Sequence, residues 1–224
     1  RIPEAYEQTE TWFHKRDLFC HRWAPAEGRG TDELADFLTR QGFRRRQHMA
    51  MSLVRWVDQE TPDQVRILPA RAMRTAYRET FTQLDTPGSS AMGELLAEAS
   101  LERLDDPHLD MVVALWDKQP VGRCGLYQVG DIARVMSVCV LPVYAGRGVE
   151  QALLGHVLAL AKRLTMLNGL TKIDETDRAG LHPGDLSLQR SRALELTLEE
   201  AGFVCDGEIV EFERDPPTHA GVGP

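Results

Sequence analysis

Residues 138–163, VCVLPVYAGRGVEQALLGHVLALAKR, decide the fold of this chain. The first four are apolar and β-prone, and Pro142 ends the strand because it has no N–H to donate. Gly146 and Gly148 then remove Cβ atoms from a turn, and from Val149 onward apolar residues recur at helical spacing. The stretch therefore predicts a strand, a glycine turn and an amphipathic helix whose free N–H groups point into the turn. That arrangement is typical of an anion site, although an isolated pair of glycines is equally consistent with a tight connection alone.

The chain around this stretch predicts an order of strand, two helices, three strands, helix, strand, helix and strand. Gly202 is the expected stop of the last helix, and Arg44 to Arg46 are expected to form a solvated loop. Polar and glycine-containing turns are predicted at residues 86–89, 117–120 and 130–131. The predicted strands are residues 64–68, 111–116, 121–128, 133–141, 170–173 and 208–213, and the predicted helices are residues 71–84, 91–104, 149–164 and 188–201.

The first sixty residues repeat part of the later sequence. Four residues recur at one offset of 160 positions, namely Leu34, Leu38, Gly42 and Phe43 against Leu194, Leu198, Gly202 and Phe203. Each Gly-Phe pair is followed by a strand-like segment, residues 48–56 in the first case and 208–213 in the second, and residues 18–25 are a candidate preceding strand. The pattern predicts a helix, Gly-Phe and strand unit in both places. Coincidence is the alternative, because a glycine after a helix is a common C-terminal cap.

Composition excludes several classes of protein. With 224 residues, of which 42% are hydrophobic, the chain has room for one full domain and a partial one. No apolar run approaches the length that spans a bilayer, so no membrane association is expected. The net charge of −8 argues against nucleic-acid binding and favours a cationic amine as partner. The four scattered cysteines lack any CxxC spacing, so we expect no disulfide, no metal site and a cytoplasmic location.

The strand, glycine turn and helix resemble the acyl-CoA signature of the GNAT superfamily of N-acyltransferases. The family pattern V-x-P-x-x-(Arg/Gln)-G-x-G-x-(Gly/Ala) runs here through Val140, Pro142, Ala145, Gly146, Gly148 and Glu150. The resemblance implies an α/β (α+β) GNAT fold, in which a mixed central sheet with flanking helices splays at the acyl-CoA site. It further implies a tandem GNAT plan with a partial, degenerate GNAT-like segment over residues 1–60, an acyltransferase-like domain over 61–216 and a tail over 217–224.

The resemblance also implies which residues contact acetyl-CoA, the expected co-substrate. Turn amides would hold its pyrophosphate, and the preceding strand, at a bulge, would pair with pantetheine. Ala145 and Glu150 depart from the family pattern. We expect the Glu150 carboxylate to cap its own helix and to repel a pyrophosphate by about 1 kcal/mol at 4 Å in water, which Arg147 would offset. The implied cofactor-binding residues are Val138, Cys139, Val140, Ala145, Gly146, Arg147, Gly148, Val149, Glu150 and Ser191.

The general base and acid that the family often uses have no counterpart at the corresponding positions. The usual glutamate on the strand before the turn falls at Arg134 or Ser137, and the usual tyrosine falls at Leu198. The remaining candidates for a catalytic side chain are His182, Ser137 and Tyr144. Each also has an ordinary structural explanation, such as exposure for a loop histidine and packing for a tyrosine.

Two functions follow from this sequence. The first is an N-acetyltransferase that moves an acetyl group from acetyl-CoA to a small-molecule amine, by direct attack with help from water and proximity. The second is a degenerate GNAT domain without turnover that acts as a binding or dimerisation module; a homodimer is plausible in either case. A nucleotide-binding protein is disfavoured, because no GKS/T follows the glycines and no GxGxxG is present.

Overall fold

The computed structural model describes residues 2–25, 31–83, 90–130, 132–164, 168–174 and 194–214. The described helices are α1 (Ile2–His14), α2 (Thr31–Arg40), α3 (Arg74–Thr82), α4 (Ser90–Arg103), α5 (Val149–Arg163) and α6, of which residues 194–200 are described. The strands are β1 (Arg22–Trp23), β2 (Arg44–Leu53), β3 (Val65–Pro69), β4 (Leu109–Trp116), β5 (Gln119–Val129), β6 (Ile132–Val140), β7 (Asn168–Asp174) and β8 (Phe203–Glu213). The chain divides into two compact units, one with the described parts of 1–49 and 208–214 and the other with those of 50–173 and 194–207.

The second unit is built on a mixed sheet with the strand order β8-β2-β7-β6-β5-β4-β3. Strands β3 to β6 pair antiparallel with their neighbours, whereas β6 and β7 pair in parallel. Asp117 and Lys118 join β4 to β5 and both have positive φ, of 46° and 72°. Two such residues make a tight hairpin turn whose twist matches that of the strands it joins. This sheet places the end of β6 in the middle of the unit.

Helices cover both faces of this sheet. Arg123 of β5 donates a hydrogen bond to Thr80 of α3, while a Cβ on Gly122 would lie 3.2 Å from Leu153 of α5. Because successive strand residues point to opposite faces, α3 and α5 lie on opposite sides of β5. The buried residues of the α3 and α4 side include Tyr77, Leu104, Leu109, Met111, Val113 and Leu115, and those of α5 are Val149, Ala152, Leu153, Leu154, Val157, Leu158 and Ala161.

The first unit has its own small core and a buried contact between a histidine and a glutamate. Strand β1 pairs antiparallel with β8 through Arg22 and Glu213. His48 Nε2 lies 3.1 Å from Glu211 Oε2, and both side chains are buried. A hydrogen-bonded contact of this kind compensates the cost of burying polar side chains. The apolar core of the unit comprises Leu38, Phe43 and Phe212, with Tyr6, Trp23, Leu34, Ala35, Phe37 and Val210 packed around them.

Most of the predicted elements are confirmed, with shifted ends. The helix predicted from residue 71 begins at Arg74, because Ala70–Ala72 form a 3₁₀ turn first. The predicted strand at 170–173 extends to residues 168–174, and that at 208–213 begins already at Phe203. Gly202 ends α6 as predicted, with its N–H bonded to the carbonyl of Glu199. The turn predicted at 86–89 lies outside the described residues.

The prediction of a solvated loop at Arg44 to Arg46 is wrong. These arginines are the first residues of β2, and the strand predicted at 48–56 instead spans 44–53. Arg46 is accommodated in a strand because its Nε lies 3.4 Å from a carboxylate oxygen of Glu213. Helix α1 was not predicted. The start of β2 is stabilised by opposite charges on neighbouring strands. It therefore lacks the alternation of apolar and polar residues by which a strand is recognised in a sequence.

The sequence repeat has the same local structure in both places. Helix α2 ends at Gly42 with φ 84° and continues through buried Phe43 into β2, while α6 ends at Gly202 with φ 98° and continues through buried Phe203 into β8. Positive φ at both glycines is the usual geometry of a helix C-terminal cap. The interpretation of residues 1–60 as a degenerate copy, with a domain at 61–216 and a tail at 217–224, stays a prediction.

Candidate functional site

The glycine turn after β6 has the geometry of an anion site. A 3₁₀ turn at Pro142–Tyr144 leads into Ala145, Gly146 and Arg147, which are exposed. Gly146 and Gly148 have φ of 70° and 82°, a conformation that L side chains rarely adopt. Helix α5 then begins at Val149, and its first helical bond runs from Ala152 N–H to the Gly148 carbonyl. The N–H groups before Ala152 are outside the helical ladder and face the N-terminal end of the helix dipole.

The side chain of Glu150 already engages this turn. Its carboxylate accepts hydrogen bonds from its own N–H and from the N–H of Gly146. Burial raises the pKa of Glu150 above its ordinary value, and the two N–H donors act in the opposite direction. Its Oε2 is buried and has no hydrogen-bond partner among the described residues. The chain thus places its own anion where the resemblance implies a pyrophosphate.

Arg147 supplies a cation beside the turn. Its guanidinium carbon lies 5.9 Å from the ring centroid of Trp116 and 5.5 Å from that of Tyr144. The two rings pack against each other at 5.6 Å. Tyr144, a catalytic candidate from the sequence, therefore packs in an aromatic pair that supports Arg147. A guanidinium held there can pair with a phosphate group at the turn.

Strand β6 contains a bulge just before the turn. Gly125 is paired with Met136 and Arg123 with Cys139, so that Ser137 and Val138 together face one residue of β5. Ser137 has φ 54° and an exposed side chain, and residues 138–140 are half-buried. The described pairing of β6 with β7 covers three residues and ends at Arg134, before the bulge. Beyond that point the backbone of β6 can pair with a ligand, as a bulge next to a site commonly allows.

A half-buried arginine, Arg123, lies across from this bulge and was not singled out in the sequence. The Nη1 of Arg123 donates to the Thr80 carbonyl at 2.7 Å and to Thr80 Oγ1 at 3.2 Å. Its guanidinium carbon lies 3.6 Å from the ring centroid of Phe81. Burial lowers the pKa of Arg123, while Cys139 and Tyr77 act to raise it. The signal in the sequence was Arg123 itself, the single charged residue within VGRCGLY. The rest of that segment is small and apolar, and a charged residue in such a strand usually has a specific partner.

The remaining predicted site residues fall in different places. Leu198, at the position of the family's tyrosine acid, is fully buried and donates no proton. Arg134 is exposed on β6 ahead of the bulge. His182 and Ser191 lie outside the described residues. The described residues contain no cluster of three or more His, Cys, Asp or Glu side chains that could hold a metal ion.

Two further findings concern the chain as a whole. All four cysteines, at positions 20, 124, 139 and 205, carry free thiols. Across the described parts of the chain, no helix combines the length and the apolar character needed to cross a membrane.

Comparison with known proteins identifies the domain around this site. Residues 70–180 match the acetyltransferase (GNAT) family. No curated protein matches the chain in sequence. A GCN5-related N-acetyltransferase from Kribbella flavida has a similar structure, with 11% identity, a TM-score of 0.60, and coverage of 96% of this chain and 76% of that one. A GCN5-related N-acetyltransferase from Sphaerobacter thermophilus has 17% identity and a TM-score of 0.58, over 93% of this chain and 66% of that one.

A third similar structure is a functionally unknown conserved protein from Staphylococcus epidermidis. It shares 11% identity and a TM-score of 0.61 over 95% of this chain and 80% of that one. At such identities these structures show a shared fold and nothing finer. The predicted mixed-sheet GNAT fold is thereby confirmed, and the coverage extends to the N-terminal residues as well.

Proposed function

Because residues 70–180 form a domain of the GNAT acetyltransferase family, we propose that this protein transfers an acetyl group from acetyl-CoA to the amine of a small molecule. The observation that carries the proposal is the sequence of bulge, turn and helix at Ser137 to Val149. It joins a strand whose described pairing with β7 ends before the bulge to an exposed turn at a helix N-terminus. Those are the two surfaces that a pantetheine chain and a pyrophosphate require.

Acetyl-CoA would supply an activated acetyl thioester at this site. In the proposal, the amides of Gly146, Arg147, Gly148 and Val149 bind the pyrophosphate, and the guanidinium of Arg147 adds a positive charge. The backbone of residues 138–140 pairs with pantetheine and directs the thioester toward the bulge. Glu150 must release the Gly146 N–H before a phosphate can take that donor.

Transfer would proceed by direct attack within a ternary complex. The neutral amine of the acceptor forms a C–N bond to the acetyl carbon, and the C–S bond breaks. Backbone N–H groups near Cys139 and Val140 stabilise the oxyanion that forms on the carbonyl carbon's oxygen. The amine proton passes through water and the CoA thiolate takes up a proton as it leaves. Most of the rate enhancement in this scheme comes from proximity and orientation, because Ser137 and Leu198 supply neither base nor acid.

Isothermal titration with acetyl-CoA and with CoA, at low and moderate salt, tests the first step. We expect micromolar binding by the unmodified protein and about fivefold tighter binding by Glu150→Gln, since a repulsion of about 1 kcal/mol is removed. Glu150→Gly, which restores the family residue, should behave similarly. Glu199→Gln is the matched control, because Glu199 is an exposed carboxylate on α6. Absence of binding by all four proteins would overturn the proposal.

A domain without turnover is the second candidate. It is favoured by one observation, namely that the Glu150 carboxylate occupies donors of the turn that a pyrophosphate would use. If only the Glu150 variants bind acetyl-CoA, and no amine in a broad screen is acetylated by the unmodified protein, this second function is the correct one. Size-exclusion chromatography in the same study would test the expected homodimer.

A further inference from the structure

Arg123 is a half-buried cation without a carboxylate partner among the described residues. Burial is the largest influence on its pKa and lowers it, and the titratable groups that act in the opposite direction are Cys139 and Tyr77, with no aspartate or glutamate among them. Charged side chains are almost never buried without compensation. An anion would offset the partial burial of Arg123, and the described part of the chain does not provide one.

The fold provides interaction partners for only part of the Arg123 guanidinium. Nη1 binds the Thr80 carbonyl and hydroxyl near the C-terminal end of α3, where a cation also favours the helix dipole. One face of the group stacks on Phe81. The Nε is buried and has no hydrogen-bond partner in the described structure, and no hydrogen bond of Nη2 to a described residue is present. Nε and Nη2 together form the edge of a guanidinium that binds a carboxylate through two parallel hydrogen bonds.

Arg123 is next to the place where acetyl transfer is proposed. Arg123 and Cys139 are Cα partners across β5 and β6, directly after the bulge. Directly opposed residues of antiparallel strands point to the same face of the sheet, so the side chains of Arg123 and Cys139 share a face. That face is the one covered by α3, opposite α5 and its glycine turn. An acceptor entering from the α3 side would meet the guanidinium while its amine approaches the thioester.

We propose that the Nε and Nη2 edge of Arg123 binds a carboxylate of the acceptor, which makes the acceptor an amine of the amino-acid class. This inference rests on the proposed acetyl transfer. A carboxylate close to the amine pairs with the half-buried cation and fixes the orientation of the nucleophile. The amine itself stays outside the ion pair and is free to lose its proton and attack. Thr80 binds Nη1 and Phe81 stacks on one face of the guanidinium, and the acceptor carboxylate would bind the remaining edge.

Matched pairs of small molecules test the inference independently of turnover. The probes are the possible products N-acetylglycine, N-acetylleucine, N-acetylglutamine and Nα-acetyllysine, each compared with its C-terminal amide, in the presence of CoA and in its absence. Binding is measured by titration calorimetry with the full chain. We expect at least one free acid to bind about 10-fold to 100-fold more tightly than its amide, the usual effect of a buried charge-assisted hydrogen bond.

Variants assign the preference to Arg123. Arg123→Gln should remove the preference for the acid, Arg123→Lys should restore part of it through charge alone, and Arg66→Lys, an exposed arginine of β3, should leave it unchanged. Thr80→Val alters the Nη1 side of the guanidinium and should also preserve the preference. Melting curves establish that each variant is folded. A purely structural Arg123 would lower stability and weaken acid and amide equally.

The outcomes separate this inference from the proposed function. A preference for acids that disappears in Arg123→Gln supports the subsite, even if no amine is acetylated and the proposed function fails. Acetylation of amino acids and their amides with equal kcat/KM would leave the transferase function intact and overturn the subsite. An acid preference that persists in Arg123→Gln, or no preference for any acid in the unmodified protein, would also overturn it.

Discussion

Glu150 is the residue whose charge most directly opposes ligand binding at the glycine turn. Its carboxylate accepts the N–H groups of Gly146 and of Glu150 itself, and one of its oxygens is buried without a partner. A phosphate at the same turn therefore competes with a resident anion for donors and is repelled by its charge. Both penalties disappear when the carboxyl group is neutral. The ionisation state of this one side chain should thus be coupled to CoA affinity.

We predict that CoA affinity of the unmodified protein rises relative to Glu150→Gln as the pH falls. Burial raises the pKa of Glu150 above its usual 4.5, so protonation begins at a higher pH than for an exposed carboxyl. Near pH 7.5 the Gln variant should bind about fivefold more tightly, and the ratio should approach one as the pH is lowered toward 4.5. Titration calorimetry between pH 4.5 and 8 measures this ratio. Protonation of CoA changes both affinities equally and therefore does not change the ratio. A ratio that stays constant would contradict the coupling.

Gly202 is required at its position for a steric reason. Its φ is 98°, and a Cβ built on it would lie 1.9 Å from the carbonyl oxygen of Arg55. We predict that Gly202→Ala lowers the free energy of unfolding by more than about 2 kcal/mol, because both strain and a backbone clash are introduced. Gly207→Ala is the control, since a Cβ there meets no atom within 4 Å. Urea denaturation should show a much smaller change for the control, and equal losses would refute the argument.

At the scale of elements, the bulge of β6 sets the conformation of the strand that leads into the turn. Ser137 holds a φ of 54° within a strand, at the point where two residues of β6 face one of β5. A left-handed conformation costs an ordinary residue about 1 to 2 kcal/mol and costs a β-branched residue more. The bulge is therefore maintained by its surroundings against a local preference, as is common near functional sites.

We predict opposite effects for two substitutions at the bulge. Ser137→Gly should leave stability unchanged or raise it by up to about 1 kcal/mol, and Ser137→Val should lower it by about 1 to 2 kcal/mol. Arg134→Val, on the same strand before the bulge, is a control with little expected cost because its backbone is regular. Urea unfolding provides the free energies. If Val were tolerated equally at both positions, the bulge would carry no strain.

The elements between residues 64 and 164 were predictable because their signals are local. The apolar segment of β4, the turn predicted at 117–120 and narrowed by the structure to Asp117 and Lys118, and the helical spacing of α5 each depend on a few neighbouring residues. The beginning of β2 could not be predicted, because Arg46 is stabilised in the strand by Glu213, far away in sequence. Arg123 was missed for the same reason: its significance depends on Thr80, Phe81 and Cys139, which only the fold brings together.

At the scale of the whole chain, the end of β2 belongs to the compact unit that contains the site. In the second unit, the strand order places β2 between β7 and β8. The N–H groups of Val54 and Arg55 donate to the Gly202 carbonyl at 3.0 and 3.2 Å, which ties the end of β2 to the cap of α6. The repeat at an offset of 160 residues indicated two similar units. It carried no information on their pairing, because strand order depends on contacts distant in sequence.

The position of β2 leads to a prediction about the domain boundary expected at residue 61. A fragment of residues 61–216 retains the segment that matches the GNAT family but lacks β2, so β7 and β8 would each lose a hydrogen-bonded neighbour. Unpaired strand edges in the interior of a sheet are costly and favour aggregation. We predict that the fragment does not unfold cooperatively, whereas the full chain does.

Circular dichroism, urea titration and size-exclusion chromatography of both proteins test this prediction. Adding residues 1–60 as a separate peptide provides the matched control, because it restores β2 without restoring the covalent connection. Recovery of cooperative unfolding and of CoA binding on addition of the peptide would show that this segment contributes a required strand. A monomeric fragment that unfolds cooperatively by itself would instead make residues 1–60 an appendage. Its affinity for acetyl-CoA would then decide whether the site needs β2 at all.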